Sequence, residues 1–283
     1  MSAGTIEIPA KLVGELRAKT NASMMDCKKA LIATNGDIEE AILELRKRGQ
    51  ASADKKSSRD TNEGVIAAAI KAGGDAGALC EVNCETDFVA RNTDFQTFVK
   101  EVGETILVNP EADFKEKCVT VVSKLGENIA VRRVLKYDLQ GKGLIASYIH
   151  LGAKVGVLIE VGCESDQSVT TGAFRDFVKD ITLHIAASAP LVVSRDEVDQ
   201  ALIEREKIVF REQVKDKPAA AIDKIIEGKV NKFLAGVALL DQAFVKSPDI
   251  TVKEHMANVS KAAGETISIR RFVRWQLGEE LPA

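Results

Sequence analysis

The chain repeats itself, and that constrains its fold more than any motif it carries. Residues 63–102 lie without a gap on residues 142–181, at a shift of 79. Gly64 meets Gly143, Ile66 meets Ile145, Gly77 meets Gly156 and Leu79 meets Leu158. Glu81, Val82, Cys84, Glu85 and Asp87 meet Glu160, Val161, Cys163, Glu164 and Asp166. Phe95, Phe98, Val99 and Lys100 meet Phe174, Phe177, Val178 and Lys179. A second echo closes each half, GENIAVRRV from Gly126 and GETISIRRF from Gly264. So many identities without a gap point to a duplication.

Each copy has the same grammar. A strand leads into a glycine turn, at Gly73-Gly74 or Gly152, and a second strand runs to Glu-Val-x-Cys-Glu. A helix with Phe, Phe and Val on one face follows, and later a strand that ends in Arg-Arg. The fold class expected is α+β, with two subdomains at 63–141 and 142–283, each an antiparallel three-stranded sheet backed by helices. Before its last strand the second copy is interrupted by a charged segment of helical spacing, broken near Lys217-Pro218. That pattern predicts an inserted antiparallel helical hairpin at about 196–235.

Ahead of the repeat, residues 5–48 read as three short helices. Ile8, Leu12, Val13 and Leu16 recur at helical spacing. Thr20-Asn21-Ala22-Ser23 supplies a turn, with Ser23 as cap for a helix carrying Met24, Met25, Cys27, Ala30 and Leu31. Asn35-Gly36-Asp37 starts a third helix with Ile38, Ala41, Ile42 and Leu45 on one face. So small a core is marginal, which suggests a docking domain at 1–50. The polar, basic stretch RKRGQASADKKSSRDTNEG then reads as a linker, placed at 51–62, or as an exposed helix.

Composition narrows the function classes. With 45% apolar and 29% charged residues, the 283-residue chain has ordinary globular usage. A net charge of −3 supplies no basic field for a phosphate backbone, so direct nucleic-acid binding is not expected. No run reaches the length of a membrane span, and the start MSAGTIEIPAKLVGEL lacks a secretory leader's apolar core. Five scattered cysteines fit a reducing cytoplasm.

No catalytic or metal motif stands out. KAGGDAGA lacks the spacing of a phosphate loop and sits inside a hairpin pattern. Cys80 and Cys84 have no second Cys/His pair to complete a zinc set, and read as buried thiols. None of His150, His184 and His255 has a triad or HExxH context. Asp87 and Asp166 read as caps for the helices they precede, although the two could also form an acid/base pair. Phe88 is different. Its counterpart is Gln167, so the turn recurs while the aromatic does not. A residue required by the shared fold should recur. Phe88 therefore reads as an exposed anchor for a partner's pocket, with a local packing role as the alternative.

At these residues the chain resembles the bacterial elongation factor Ts family, guanine-nucleotide exchange factors of elongation factor Tu. ELRAKTNASMMDCKKALIATNGDIEEAILELRKRG resembles the family's N-terminal bundle of ubiquitin-associated type. EVNCETDFVARNTDF resembles the core signature, and SYIHLGAKVGVLIEV the strand pair of the second subdomain. Asn21-Ala22-Ser23 replaces the usual Gly-Ala-Gly, Lys154 the usual Arg, and the last strand is followed only by GEELPA. The resemblance implies a cytoplasmic exchange factor without covalent chemistry, cofactor or metal of its own. It implies that Thr86, Asp87, Phe88 and Val89 press into the partner's GTPase domain and dislodge its Mg²⁺. Further partner contacts are implied at Leu12, Met24, Met25, His150 and Gly152. The partner implied is elongation factor Tu, without direct nucleotide or membrane binding, and a homodimer is left open. Two rival classes remain on the residues alone. One is an enzyme using Asp87 and Asp166; the other is an adaptor that works through its N-terminal bundle.

Overall fold

A computed structural model describes residues 7–20 and 22–281, apart from the side chains of residues 219 and 220. Asn21 of the first turn lies outside the described residues. The chain divides into two compact units: Met1–Val65, Cys80–Val102 and Glu111–Arg133 form the first, and Ile66–Leu79, Gly103–Pro110 and Val134–Ala283 the second.

Three helices open the chain: α1 (Ala10–Thr20), α2 (Met24–Ala33) and α3 (Ile38–Lys56). Ser23 caps α2 by accepting from the Asp26 amide at 3.1 Å, and Asp37 caps α3 through the Glu40 amide at 2.8 Å. Val13, Leu16, Cys27, Ala30, Leu31 and Ala41 bury a small core, with Leu12, Ile38, Ile42 and Leu45 against it. The polar stretch that reads as a linker is helical in its first part, because α3 continues to Lys56. Its Ala, Lys, Arg and Gln residues favour helix, and Gly49 is buried within reach of Val119 and Ser123.

The duplicated region follows with β1 (Glu63–Ile70), β2 (Ala76–Cys84), α4 (Asp87–Ala90), α5 (Thr93–Val108), α6 (Lys115–Leu125) and β3 (Ile129–Asp138). The second copy matches it with β4 (Gly143–Ile149), β5 (Val155–Gly162), α7 (Asp166–Thr170) and α8 (Gly172–Ser188). The insertion is α9 (Gln200–Gln213), α10 (Ala219–Val237) and a two-stranded ribbon, β6 (Ala243–Phe244) with β7 (Ser247–Thr251). α11 (Val252–Ala263) and β8 (Ser268–Gln276) close the chain. The two sheets have orders β1-β2-β3 and β4-β5-β8, as the repeat predicts. The fold is α+β, with small three-stranded antiparallel sheets backed by helices. α9 and α10 pack together as a hairpin, Pro218 starting the second helix. The ribbon β6-β7 is new relative to the sequence reading; its strands are too short to carry a period-2 signal.

The recurring Phe, Phe and Val are core residues. In the second unit Phe174, Phe177, Val178 and Ile181 of α8 bury against Val157, Ile159 and Val161 of β5. The recurring glycines mark a crossing of backbones in that unit. A Cβ on Gly77 would lie 2.6 Å from Ile145 and 2.9 Å from Leu158; one on Gly156 would lie 2.4 Å from Ile66 and 3.2 Å from Leu79. The hydrogen bonds repeat the same symmetry: the Ile145 amide donates to the Gly74 carbonyl at 2.8 Å, and Ile66 to Ala153 at 2.8 Å. Each partner in one contact is the repeat equivalent of a partner in the other. Duplicated hairpins thus pack on each other about a local pseudo-two-fold.

Candidate functional site

The turn after β2 is fixed by its own polar groups. Thr86 is extended at φ −127° and ψ 155°, and its hydroxyl accepts from the Val89 amide at 3.3 Å, so it caps α4. The same hydroxyl donates to Glu127 Oε1 at 2.6 Å, while Glu127 Oε2 accepts from the amides of Glu85 (3.1 Å) and Thr86 (3.0 Å). One carboxylate therefore satisfies three donors at the entry to the turn. Glu85 reciprocates: its Oε1 accepts from the Asn128 amide at 2.6 Å and lies 3.3 Å from Arg59. The buried Cys84 thiol donates to the Thr86 carbonyl at 3.2 Å. At the exit, Gln96 donates to the Ala90 carbonyl at 2.5 Å.

On this clamped turn Phe88 is 82% exposed. Thr86, Asp87 and Val89 are half-exposed beside it, and Ala90 turns into the interior. A ring of this size left in water costs free energy that a core position would recover. The second copy shows what the fold alone needs. Ser165 caps α7 as Thr86 caps α4, the Cys163 thiol donates to Ser165, and the exposed tip residue is Gln167. Glu265, the counterpart of Glu127, is held below the usual carboxylate range. The Ser168 hydroxyl is the main cause, followed by the Ser165 hydroxyl and the Glu164 and Ser165 amides.

Asp87 and Asp166 are not the caps; Thr86 and Ser165, one residue earlier, hold the extended backbone of an N-cap, and their hydroxyls accept from the amides three residues on. The aspartates stand in the first helical turn, Asp87 3.0 Å from Arg91 and Asp166 4.0 Å from Lys142. Glu127, Asn128 and Arg59 were not singled out, although Glu127 and Glu265 recur in the second echo. The echo's Arg-Arg has its own role. Arg132 and Arg133 bind buried Glu81 at 3.0 and 2.7 Å, and Arg270 and Arg271 bind buried Glu160 at 3.1 and 2.7 Å.

The other sequence candidates fall on separate elements. Leu12 is half-buried against the bundle core, while Met24 and Met25 of α2 are 43% and 62% exposed. His150 is exposed at the β4–β5 turn, its Nδ1 3.1 Å from the Tyr148 hydroxyl, followed by Leu151 and by Gly152 at φ 87°. Cys80 and Cys84 are buried, their thiols donating to the Val99 and Thr86 carbonyls. Among the described residues no three His, Cys, Asp or Glu side chains group as metal ligands, and no helix is long and apolar enough to cross a membrane.

Residues 85–279 match the family model described as Elongation factor TS. The chain is 40% identical to Elongation factor Ts of Trichlorobacter lovleyi, over 97% of this chain and 94% of that one. It is 41% identical to Elongation factor Ts of Clostridium botulinum strain Alaska E43, over 96% and 93%. With Elongation factor Ts of Nitratidesulfovibrio vulgaris strain DP4 it shares 39% identity over 98% of each chain. This chain belongs to the elongation factor Ts family.

Proposed function

We propose that this chain is a cytoplasmic guanine-nucleotide exchange factor of translation elongation, acting on elongation factor Tu. Membership of the elongation factor Ts family supports the partner and the role. The observation that carries the mechanism is Phe88, 82% exposed on a turn that Glu127 clamps. A rigid aromatic enters a pocket at small entropic cost, since little remains to be ordered on binding. In this reading Thr86–Val89 enter the GTPase domain of elongation factor Tu beside its Mg²⁺. The ion is displaced, GDP loses its counter-charge, and it leaves. This chain makes and breaks no covalent bond. It acts through coupling: by binding the nucleotide-free partner more tightly than the GDP form, it must weaken GDP by the same factor. Exposed Met24 and Met25, and the turn at His150 and Gly152, are proposed as further grips on the partner. Release of a fluorescent GDP from elongation factor Tu, with and without this chain, tests the reading. Release must accelerate with added chain; an unchanged rate would refute it.

A further inference from the structure

The stretch between α3 and β1 is tied down in a way that the duplicated fold does not require. The Asn128 side-chain amide donates to the carbonyls of Ser57 (3.4 Å) and Arg59 (2.9 Å), and the Asn83 side-chain amide to that of Thr61 (3.2 Å). Alternate carbonyls along residues 57–61 thus accept from two asparagines of the first copy. Arg59 in turn reaches Glu85 Oε1 at 3.3 Å, and that oxygen also accepts from the Asn128 backbone amide at 2.6 Å. Further up, α3 packs on α6, where a Cβ on Gly49 would stand 3.4 Å from Val119.

The second copy has different residues at these places. At the repeat shift Asn83 meets Gly162, and in the closing echo Asn128 meets Thr266. Glu85 is half-buried, whereas its counterpart Glu164 is exposed. Asn83 is itself buried, and its Oδ1 has no hydrogen-bond partner among the described residues. A buried acceptor without a partner destabilises a fold, and the glycine of the second copy avoids that loss. The asparagines therefore serve the tie, in the copy that carries Phe88. Glu127 and Asn128 are successive residues: the first holds the Glu85 and Thr86 amides at the entry to the Phe88 turn, the second holds the connector that follows α3.

We propose that Asn128 is a positioning residue for exchange: with Arg59 and Asn83 it locks the N-terminal bundle and the Phe88 turn into one rigid body. A partner gripped by the bundle then meets the ring at a fixed place. That raises the effective concentration of the ring at its pocket and leaves little to be ordered on entry. The part Asn128 plays in exchange rests on the reading of the partner given above, while the joint belongs to the free chain.

Nuclear magnetic relaxation of the backbone amides of the free, full chain tests the joint. Amides of α1–α3 should share one rotational correlation time with those of α4–α6. Asn128→Thr, which installs the side chain of the second copy, should release the amides of residues 57–61 into faster motion. A bundle that tumbles independently in the wild-type chain, or a connector left equally ordered by Asn128→Thr, would overturn the proposal. Fluorescent-GDP release from elongation factor Tu, titrated with the full chain, tests the consequence. Asn128→Thr should lower the maximal rate about threefold to tenfold, the fold-change of one lost hydrogen bond. The half-saturating concentration should stay within about twofold, because the bundle's own grip is intact. Ser57 and Arg59 are exposed, so water can take the freed carbonyls and the urea midpoint should stay near wild type. Gly49→Val should also slow release by lifting α3 from α6, and Val119→Ala added to it should restore the rate. An unchanged maximal rate in Asn128→Thr, or a fall no larger than the loss of folded chain, would count against the positioning role. No acceleration by the wild-type chain, with a single correlation time in the free state, would instead refute the exchange reading and uphold the joint.

Discussion

The Thr86 hydroxyl donates to Glu127 at 2.6 Å while it accepts from the Val89 amide at 3.3 Å, so one side chain joins the clamp to the cap. Removing the carboxylate leaves three donors without their acceptor. Each loss of a hydrogen-bond partner of this kind costs about 1–3 kcal/mol where water cannot substitute. Glu127→Ala should therefore lower stimulated GDP release at least about tenfold. Hydrogen exchange at the Glu85 and Thr86 amides should speed up in parallel. Glu265→Ala, at the equivalent site of the second copy, should leave release near wild type. Wild-type release from Glu127→Ala would show that the clamp has no part in exchange.

The crossing of the two hairpins makes a separate forecast for stability. Gly77→Ala and Gly156→Ala each put a Cβ within 3 Å of aliphatic side chains in the second unit. Overpacking of this sort costs about 1–3 kcal/mol. Gly228→Ala in α10 meets nothing within 4 Å and should instead stabilise by about 0.5–1 kcal/mol, through helix propensity. Urea midpoints decide the matter. Equal midpoints for Gly156→Ala and Gly228→Ala would contradict the crossing.

A pH dependence follows from His184, which is buried. The Val245 amide donates to its Nδ1 at 3.2 Å, so Nε2 carries the proton and donates to Gln242 Oε1 at 2.9 Å. Gln242 in turn donates to the Gly236 carbonyl at 2.6 Å, at the end of α10. Burial pushes the His184 pKa below its ordinary value, against a smaller opposing effect of Gln242. His255, in the ring stack with Phe244, is lowered chiefly by burial too, Asp180 opposing and Lys246 adding. A lowered histidine pKa means the unfolded chain binds more protons between the two values, so stability rises with pH there. The contribution is complete above about pH 6.5 and is lost as pH falls below it, by at most about 1.4 kcal/mol per pH unit for each histidine. The lowered pKa values of Glu254 and Glu265 act only at lower pH, below the ordinary carboxylate value of 4.5. Urea midpoints from pH 8 to pH 5 should be level above about pH 7 and decline below about pH 6.5. A flat profile across that range would refute the assignment.

The duplication made much of this legible. It placed both sheets, the helix that follows each Cys-Glu, and the difference between Phe88 and Gln167. The caps lie one residue ahead of the aspartates, since Thr86-Asp87 and Ser165-Asp166 each offer two cap-forming side chains in succession and only the backbone decides between them. Glu127 was invisible as a clamp because its partners lie about forty residues away in sequence. After Gly49 no apolar period marks α3; helix propensity and the i,i+4 pairs Gln50–Asp54 and Lys56–Ser52 carry it on, with Ser52 and Ala53 partly buried.

The central claim is that Phe88 serves a partner and not the fold. Phe88→Ala, measured as fluorescent-GDP release from elongation factor Tu beside the unfolding midpoint of the free chain, tests it most directly. Loss of a hot-spot aromatic typically costs about 2–4 kcal/mol of binding, which is tenfold or more in affinity. A core phenylalanine would instead cost about 3–5 kcal/mol of folding stability. With the ring 82% exposed, the midpoint should stay near wild type while stimulated release falls at least about tenfold, and Gln167→Ala should change neither. A lowered midpoint with normal release from the folded fraction would contradict the account.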